Sequence, residues 1–221
     1  MARRPRLVVP FYPHHVTQRG NRRQKTFFCE DDYRYYIDLV SEYSELTGTE
    51  VWAYCMMPNH VHLVMVPVTE DGLRATLGEA HRRYTRYINF REGWRGHLWQ
   101  ERFHSFSMDE NYLLAAVRYV ERNPVAAKLC MCPEDWEWSS ALAHIKEEDD
   151  DLVRVRPMLD RVDRWSAYLS DPGKSNESAL IEQHARTGRP LGSLDFVRKL
   201  EIITGVDLAP KRPGRKPATN Q

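Results

Sequence analysis

Residues 57–65 read Met57-Pro58-Asn59-His60-Val61-His62-Leu63-Val64-Met65, and the arrangement of the whole chain follows from this run. Period-2 spacing with β-branched residues predicts a strand, and side chains two apart on a strand leave the same face. The two imidazoles therefore project together while Val61 turns the other way, into a core. Two neutral imidazoles so placed can hold one divalent cation if a third ligand arrives from elsewhere. The same pattern also suits a half-buried strand whose polar face happens to be histidine. The rest of the chain has to decide between the two.

Immediately upstream, Val51 to Met57 alternates as a strand, and Met57-Pro58-Asn59 forms a tight turn that returns the histidine strand antiparallel. Pro67 ends that strand. Further upstream, Pro10 to Gln18 predicts a first strand, followed by the basic turn Arg19-Gly20-Asn21-Arg22-Arg23. Between them a helix opens at Glu30-Asp31-Asp32 and carries Tyr33, Tyr36, Ile37, Val40, Tyr43 and Leu46 on one side before Gly48 stops it.

Downstream, a second helix from about Asp71 to Phe90 buries Leu73, Leu77, Ala80, Tyr84, Tyr87 and Ile88, and lines much of the rest with arginines. Leu98 to Ser105 predicts a fourth strand, with Leu98, Gln100, Arg102 and His104 on one face. The order βαββαβ is the split-βαβ plan of a ferredoxin-like antiparallel sheet with helices on one face, an α+β fold.

A third helix opens at Asp109 or Glu110 and reaches Tyr119 and Asn123 before Pro124, where Asn123 is either the end of this helix or the cap of the next. Trp136 and Trp138-Ser139-Ser140 form a satellite packing element, and the acids from Glu147 to Asp151 a solvated loop. A helix from Met158 to Leu169, another from Leu194 to Ile203 and a basic terminus complete the chain. The division expected is a principal domain over 1–145, an acidic loop and linker helix over 146–180, and a basic DNA-binding tail over 181–221, with a C-terminal helical extension to the sheet.

The near-neutral net charge of +1 hides segregation. Residues 1–30 hold seven Lys or Arg against Glu30 alone, and residues 186–221 hold eight against Asp195, Glu201 and Asp207. Residues 134–151 carry eight acids against Lys146. Basic ends with aromatics between them point to a phosphate backbone as partner. The candidate contacts are Arg19, Asn21, Arg22, Arg23, Arg82, Arg83, Arg86 and Arg102, assisted by Arg189, Lys211, Arg212, Arg215 and Lys216. The four cysteines contain no C-x-x-C pair and read as free thiols. The run Leu63 to Val68 is too short to span a bilayer, so no membrane partner is expected and the location expected is cytoplasmic, at the nucleoid.

Tyr119 and Asn123, four apart, share a face if one helix runs through both. An Asn carbonyl is an acceptable hard ligand, and a phenol beside a cation could attack a phosphodiester once its proton, held near pKa ~10, is lost. Two other readings fit the same residues: a hairpin-binding regulator that does not cut, and a hydrolase that activates water at a His-held metal without tyrosine.

Three ordered motifs carry a family resemblance: Met57 to Val64; Leu98-Trp99-Gln100-Glu101-Arg102-Phe103; and Arg118-Tyr119-Val120-Glu121-Arg122-Asn123-Pro124-Val125-Ala126-Ala127-Lys128-Leu129. With them the chain resembles the single-tyrosine HUH transposases, and among these the REP-associated tyrosine transposases. The opening His15-Val16-Thr17-Gln18-Arg19-Gly20-Asn21-Arg22, Trp138-Ser139-Ser140, and Arg186 to Ser193 with the basic end are similar to that group as well. The resemblance implies that His60 and His62 bind Mg²⁺ or Mn²⁺, that Tyr119 is the nucleophile and that Asn123 is a third ligand. It also implies single-stranded DNA bearing palindromic hairpins as substrate, a 5′-phosphotyrosine intermediate, and strand transfer as well as cleavage. A monomer is favoured. One departure is Lys128, where the resemblance leads one to expect Gly, with a turn rather than the chemistry affected.

Overall fold

The computed structural model describes residues 6–174 and 176–208. Its centre is a four-stranded sheet of β1 (His14–Arg19), β2 (Glu50–Met57), β3 (His60–Val66) and β4 (His104–Ser107). The spatial order is β2-β3-β1-β4 with every pairing antiparallel, which is the split-βαβ plan. Two helices, α1 (Glu30–Thr47) and α2 (Gly72–Glu92), lie together on one face. There Val16, Val61, Leu63 and Met65 meet Tyr36, Leu39 and Val40 from α1 and Leu73, Leu77, Tyr84 and Ile88 from α2. Burial of each such side chain contributes roughly 1.5–3 kcal/mol. Leu46, expected on the buried stripe of α1, is 72% exposed, and Leu39 occupies the core instead.

The opposite face is apolar too, through Ala53, Cys55, Met57, Val64 and Phe106. It is covered by α3 (Glu110–Glu121), which runs through Arg122 into the short α4 (Asn123–Ala126), and then by α5 (Ala141–Lys146), α6 (Arg156–Leu159), α7 (Trp165–Ser170) and α8 (Glu177–Thr187). The fold therefore has helices on both faces of the sheet, where only one covered face was expected. Met158, Trp165, Leu169, Ile181 and Leu191, from the segments read as linker and tail, enter this second core. The helix α9 (Leu194–Thr204) packs Phe196 and Leu200 against Val9 at the other end of the chain.

Several elements differ from expectation for local reasons. β1 begins at His14, not Pro10, because Pro10 and Pro13 have no N–H for a ladder and Phe11 adopts φ 63° in a turn. β4 is short because the backbone of 98–100 pairs with the basic turn: Asn21 N donates to the Leu98 carbonyl at 2.7 Å and Gln100 N to the Arg19 carbonyl at 2.8 Å. The helix expected over 158–169 is broken between Leu159 and Trp165. The acidic loop is ordered rather than merely solvated, since Asp150 accepts from Leu152 N, Val153 N and the Tyr54 hydroxyl. The helix α8 was not expected at all.

Trp138-Ser139-Ser140 closes the free edge of β2. Met56 N donates to the Trp138 carbonyl at 2.8 Å and Ser140 N to the Tyr54 carbonyl at 3.0 Å, so the exposed edge is paired by its own chain. All four cysteines are free, and among the described residues no helix is long and apolar enough to cross a membrane.

Candidate active site

Side chains at 60, 62 and 64 face the α3 layer while 61, 63 and 65 face α1 and α2, as the period-2 pattern requires. β1 lies beside β3 in a register that sets His15 opposite Val64 and Thr17 opposite His62. The same face therefore carries His15, Thr17 and Arg19 next to the histidine pair. A cavity of about 460 Å³ opens there, lined by His15, Thr17, Arg19, Arg23, His60, His62, Gln100, His104 and Tyr119, and closed from above by Ile181, Glu182, Ala185 and Arg186 of α8.

The structure brings Tyr119 and the histidines together. The His60 and His62 rings are 4.9 Å apart between centroids, and the Tyr119 ring stands edge-on to His62 at 5.4 Å. The Asn123 amide nitrogen lies 3.5 Å from His62 Nε2, one helical turn beyond Tyr119. Burial, with Arg19 adding to it, lowers the His60 imidazole from 6.5 to about 4; burial also pulls His62 well down. Both rings are therefore neutral at physiological pH, the form in which an imidazole ligates. The Tyr119 phenol is pushed up to about 12 by burial and by the Glu182 carboxylate, against the Asn123 amide and Arg19.

A buried network fixes the helix that carries Tyr119. Glu121, fully enclosed, accepts from Ser140 Oγ at 2.6 Å and from Trp165 Nε1 at 2.8 Å, with His144 Nδ1 at 2.6 Å. Ser140 Oγ in turn receives Tyr54 N at 2.9 Å. The phenol-bearing helix is thus tied through one serine to β2, the neighbour of the histidine strand.

The donors present suit a divalent cation: two neutral imidazoles and a side-chain amide, with Nδ1 of each imidazole already engaged by the protein. Among the described residues no three His, Cys, Asp or Glu side chains converge as a metal site, so the third donor here is the Asn123 amide.

The basic residues divide. Arg19 and Arg23 line the cavity, and Asn21 and Arg22 belong to the same exposed turn. Gly20 is required in that turn for space rather than for φ: at φ −62° a Cβ would come within 2.3 Å of the Gln24 carbonyl. Positive φ falls instead on Arg22 and Arg23. Arg102 and Arg189 line an adjoining cavity of about 920 Å³ together with Arg6, Arg186 and Gly188. Arg82, Arg83 and Arg86 stand on α2, beyond the sheet from the histidines, and the structure does not bring them to the site. Arg82 is paired with Glu79 and Arg83 with Glu42. Lys211, Arg212, Arg215 and Lys216 fall outside the described residues.

Residues at the site that escaped the sequence reading as functional groups include His15, Asn59, Glu182 and Arg186. His15 and Asn59 lie inside the quoted motifs, but only strand register shows what they touch. Nothing in the local sequence of α8 indicates that it roofs the cavity.

The family model described as "Transposase IS200 like" matches residues 9–123. Among solved structures the chain is similar to a REP-associated tyrosine transposase bound to a REP hairpin, at 18% identity, covering 70% of this chain and 93% of that one, with a TM-score of 0.57. At that identity the likeness concerns the fold. A putative transposase from Deinococcus radiodurans R1 also matches, at 22% identity over 55% of this chain and 97% of that one, with a TM-score of 0.37. No curated protein matches the chain.

Proposed function

Since this chain belongs to the IS200-like transposase family, we propose that it cleaves and rejoins single-stranded DNA at hairpin-forming palindromic repeats through a covalent Tyr119 intermediate. The observation that carries the reading is the meeting, in one cavity, of the strand-borne imidazoles His60 and His62 with the helix-borne phenol of Tyr119. The solved relative bound to a REP hairpin supports the choice of DNA form.

His60, His62 and Asn123 would hold Mg²⁺ or Mn²⁺, which supplies Lewis acidity toward a non-bridging phosphate oxygen. The chain's own groups do the rest. Arg19 and Arg23 attract the phosphate backbone into the cavity. Tyr119 Oη forms a bond to phosphorus, the bond from phosphorus to the 3′ oxygen breaks, and the phenolic proton leaves as that oxygen gains one. The products are a 5′-phosphotyrosine and a 3′-hydroxyl, and the stored phosphoester allows a second 3′-hydroxyl to reseal the strand without ATP. The Asn123 amide and Arg19 favour the phenolate, offsetting in part the burial that disfavours it.

The test uses a hairpin-bearing single-stranded oligonucleotide with Mn²⁺ and the purified protein, resolved on a denaturing gel. A covalent adduct with wild type that disappears in Tyr119→Phe is the expected result. Cleavage that survives Tyr119→Phe would mean that water is the nucleophile. Binding without cleavage by wild type would mark a regulator that reads hairpins without cutting them.

A further inference from the structure

We infer that Asn59 and His15 are positioning residues which set the tautomers of His60 and His62, so that both imidazoles turn an unprotonated Nε2 to the metal site. This rests on the proposed reading of His60 and His62 as ligands, and extends it to the two residues whose side chains meet their Nδ1 atoms.

The case for Asn59 follows from hydrogen-bond direction. Its amide lies between two groups, the Arg23 carbonyl at 3.1 Å and His60 Nδ1 at 2.6 Å. A backbone carbonyl can only accept, so the amide NH₂ must face Arg23 and the amide oxygen must face His60. That oxygen also can only accept, so the His60 proton sits on Nδ1 and Nε2 keeps its lone pair. The carbonyl that starts this chain belongs to the Arg22-Arg23 pair with φ of 53° and 62°, a backbone state disfavoured for residues with a Cβ. The basic turn thus bends in a way that delivers one acceptor to Asn59.

His15 plays the matching part from the neighbouring strand. Its Nε2 is 3.1 Å from His62 Nδ1, and the two rings stack with centroids 5.3 Å apart. His15 is enclosed on every side, by Phe106 and Tyr119 among others, and its Nδ1 has no hydrogen-bond partner. A buried polar atom without a partner calls for an explanation. If His62 donates from Nδ1, leaving Nε2 free, His15 must accept at Nε2 and carry its own proton on that orphaned Nδ1. Packing alone would be served as well by an apolar ring.

The experiment is a Mn²⁺ titration of the full-length protein without DNA, read from the electron paramagnetic resonance signal of free Mn²⁺. Asn59→Ala and His15→Phe each remove the acceptor and are expected to weaken Mn²⁺ binding by about 10–100-fold. His15→Gln keeps an oxygen that can accept from the Nδ1 proton and is expected to stay within about threefold of wild type. Asn59→Asp keeps that oxygen while giving up the NH₂ contact to the Arg23 carbonyl, and is expected to bind Mn²⁺ more tightly than Asn59→Ala. Equal Mn²⁺ affinity in wild type, Asn59→Ala and His15→Phe would overturn the inference, as would equal losses in all four variants. Asn59 is only half-buried, so its pair decides the matter if His15→Phe fails to fold. Wild type that takes up no Mn²⁺ would bring down the metal-site reading itself, and this inference with it.

Discussion

His60 and His62 differ from His14 in what surrounds them. His14 is committed at both ring nitrogens to the backbone, with Val9 N at 3.1 Å and the Tyr12 carbonyl at 2.8 Å, whereas His60 and His62 line a cavity and His62 Nε2 meets only the Asn123 amide nitrogen, at 3.5 Å. If those two imidazoles act on phosphate through a cation, replacing either removes chemistry without removing the surface that reads DNA. His60→Ala or His62→Ala is expected to abolish cleavage while hairpin affinity changes by less than about tenfold (~1.4 kcal/mol). Fluorescence anisotropy with a labelled hairpin, run beside the cleavage assay, checks both halves. A large loss of binding in both variants would mean that the histidines contact DNA directly.

Among the elements, the histidine hairpin and its flanking helices were legible because each declares a period: two for β2 and β3, and near 3.6 for α1 and α2. The pairing of His15 with His62 was not, because no period records which residues of two distant strands face each other. β4 misled for a related reason. Leu98 to Phe103 alternates well, yet its backbone satisfies the basic turn instead of extending the ladder. Lys128 is the one departure that structure turns into a testable cost. It occupies the left-handed position of a helix stop, with Lys128 N donating to the Val125 carbonyl and Leu129 N to the Pro124 carbonyl, where glycine is ordinarily found. Lys128→Gly is therefore expected to stabilise the protein by roughly 0.5–1 kcal/mol with cleavage unchanged. Urea unfolding midpoints decide it, and a destabilised variant would show that the lysine side chain contributes something the turn geometry does not reveal.

At the scale of the whole molecule, both faces of the sheet are buried, and histidines are buried with them. Burial lowers His14 from 6.5 to about 4 and, with help from Arg6, His81 to about 3. The unfolded chain takes up these protons near 6.5 and the folded one does not, so stability is fully present above pH 6.5 and falls as pH drops toward 4. The expected loss is on the order of 1 kcal/mol per histidine per pH unit in that window. Urea midpoints that stay level from pH 7.5 to 5 would contradict it. The roof of the cavity is the other property of the whole chain, because α8 is held over the site by packing on α3, β1 and β4, elements far from it in sequence. Sequence reading divided that region into linker and tail, since a helix with few buried residues of its own gives little periodic signal. The account depends above all on the phenol of Tyr119 being the atom that takes the phosphate. Peptide mapping by mass spectrometry, after reaction with a hairpin-bearing single strand and Mn²⁺, tests this directly. The account predicts a 5′-phosphonucleotide on the peptide containing Tyr119; an adduct on another residue, or cut DNA with no adduct, would contradict it.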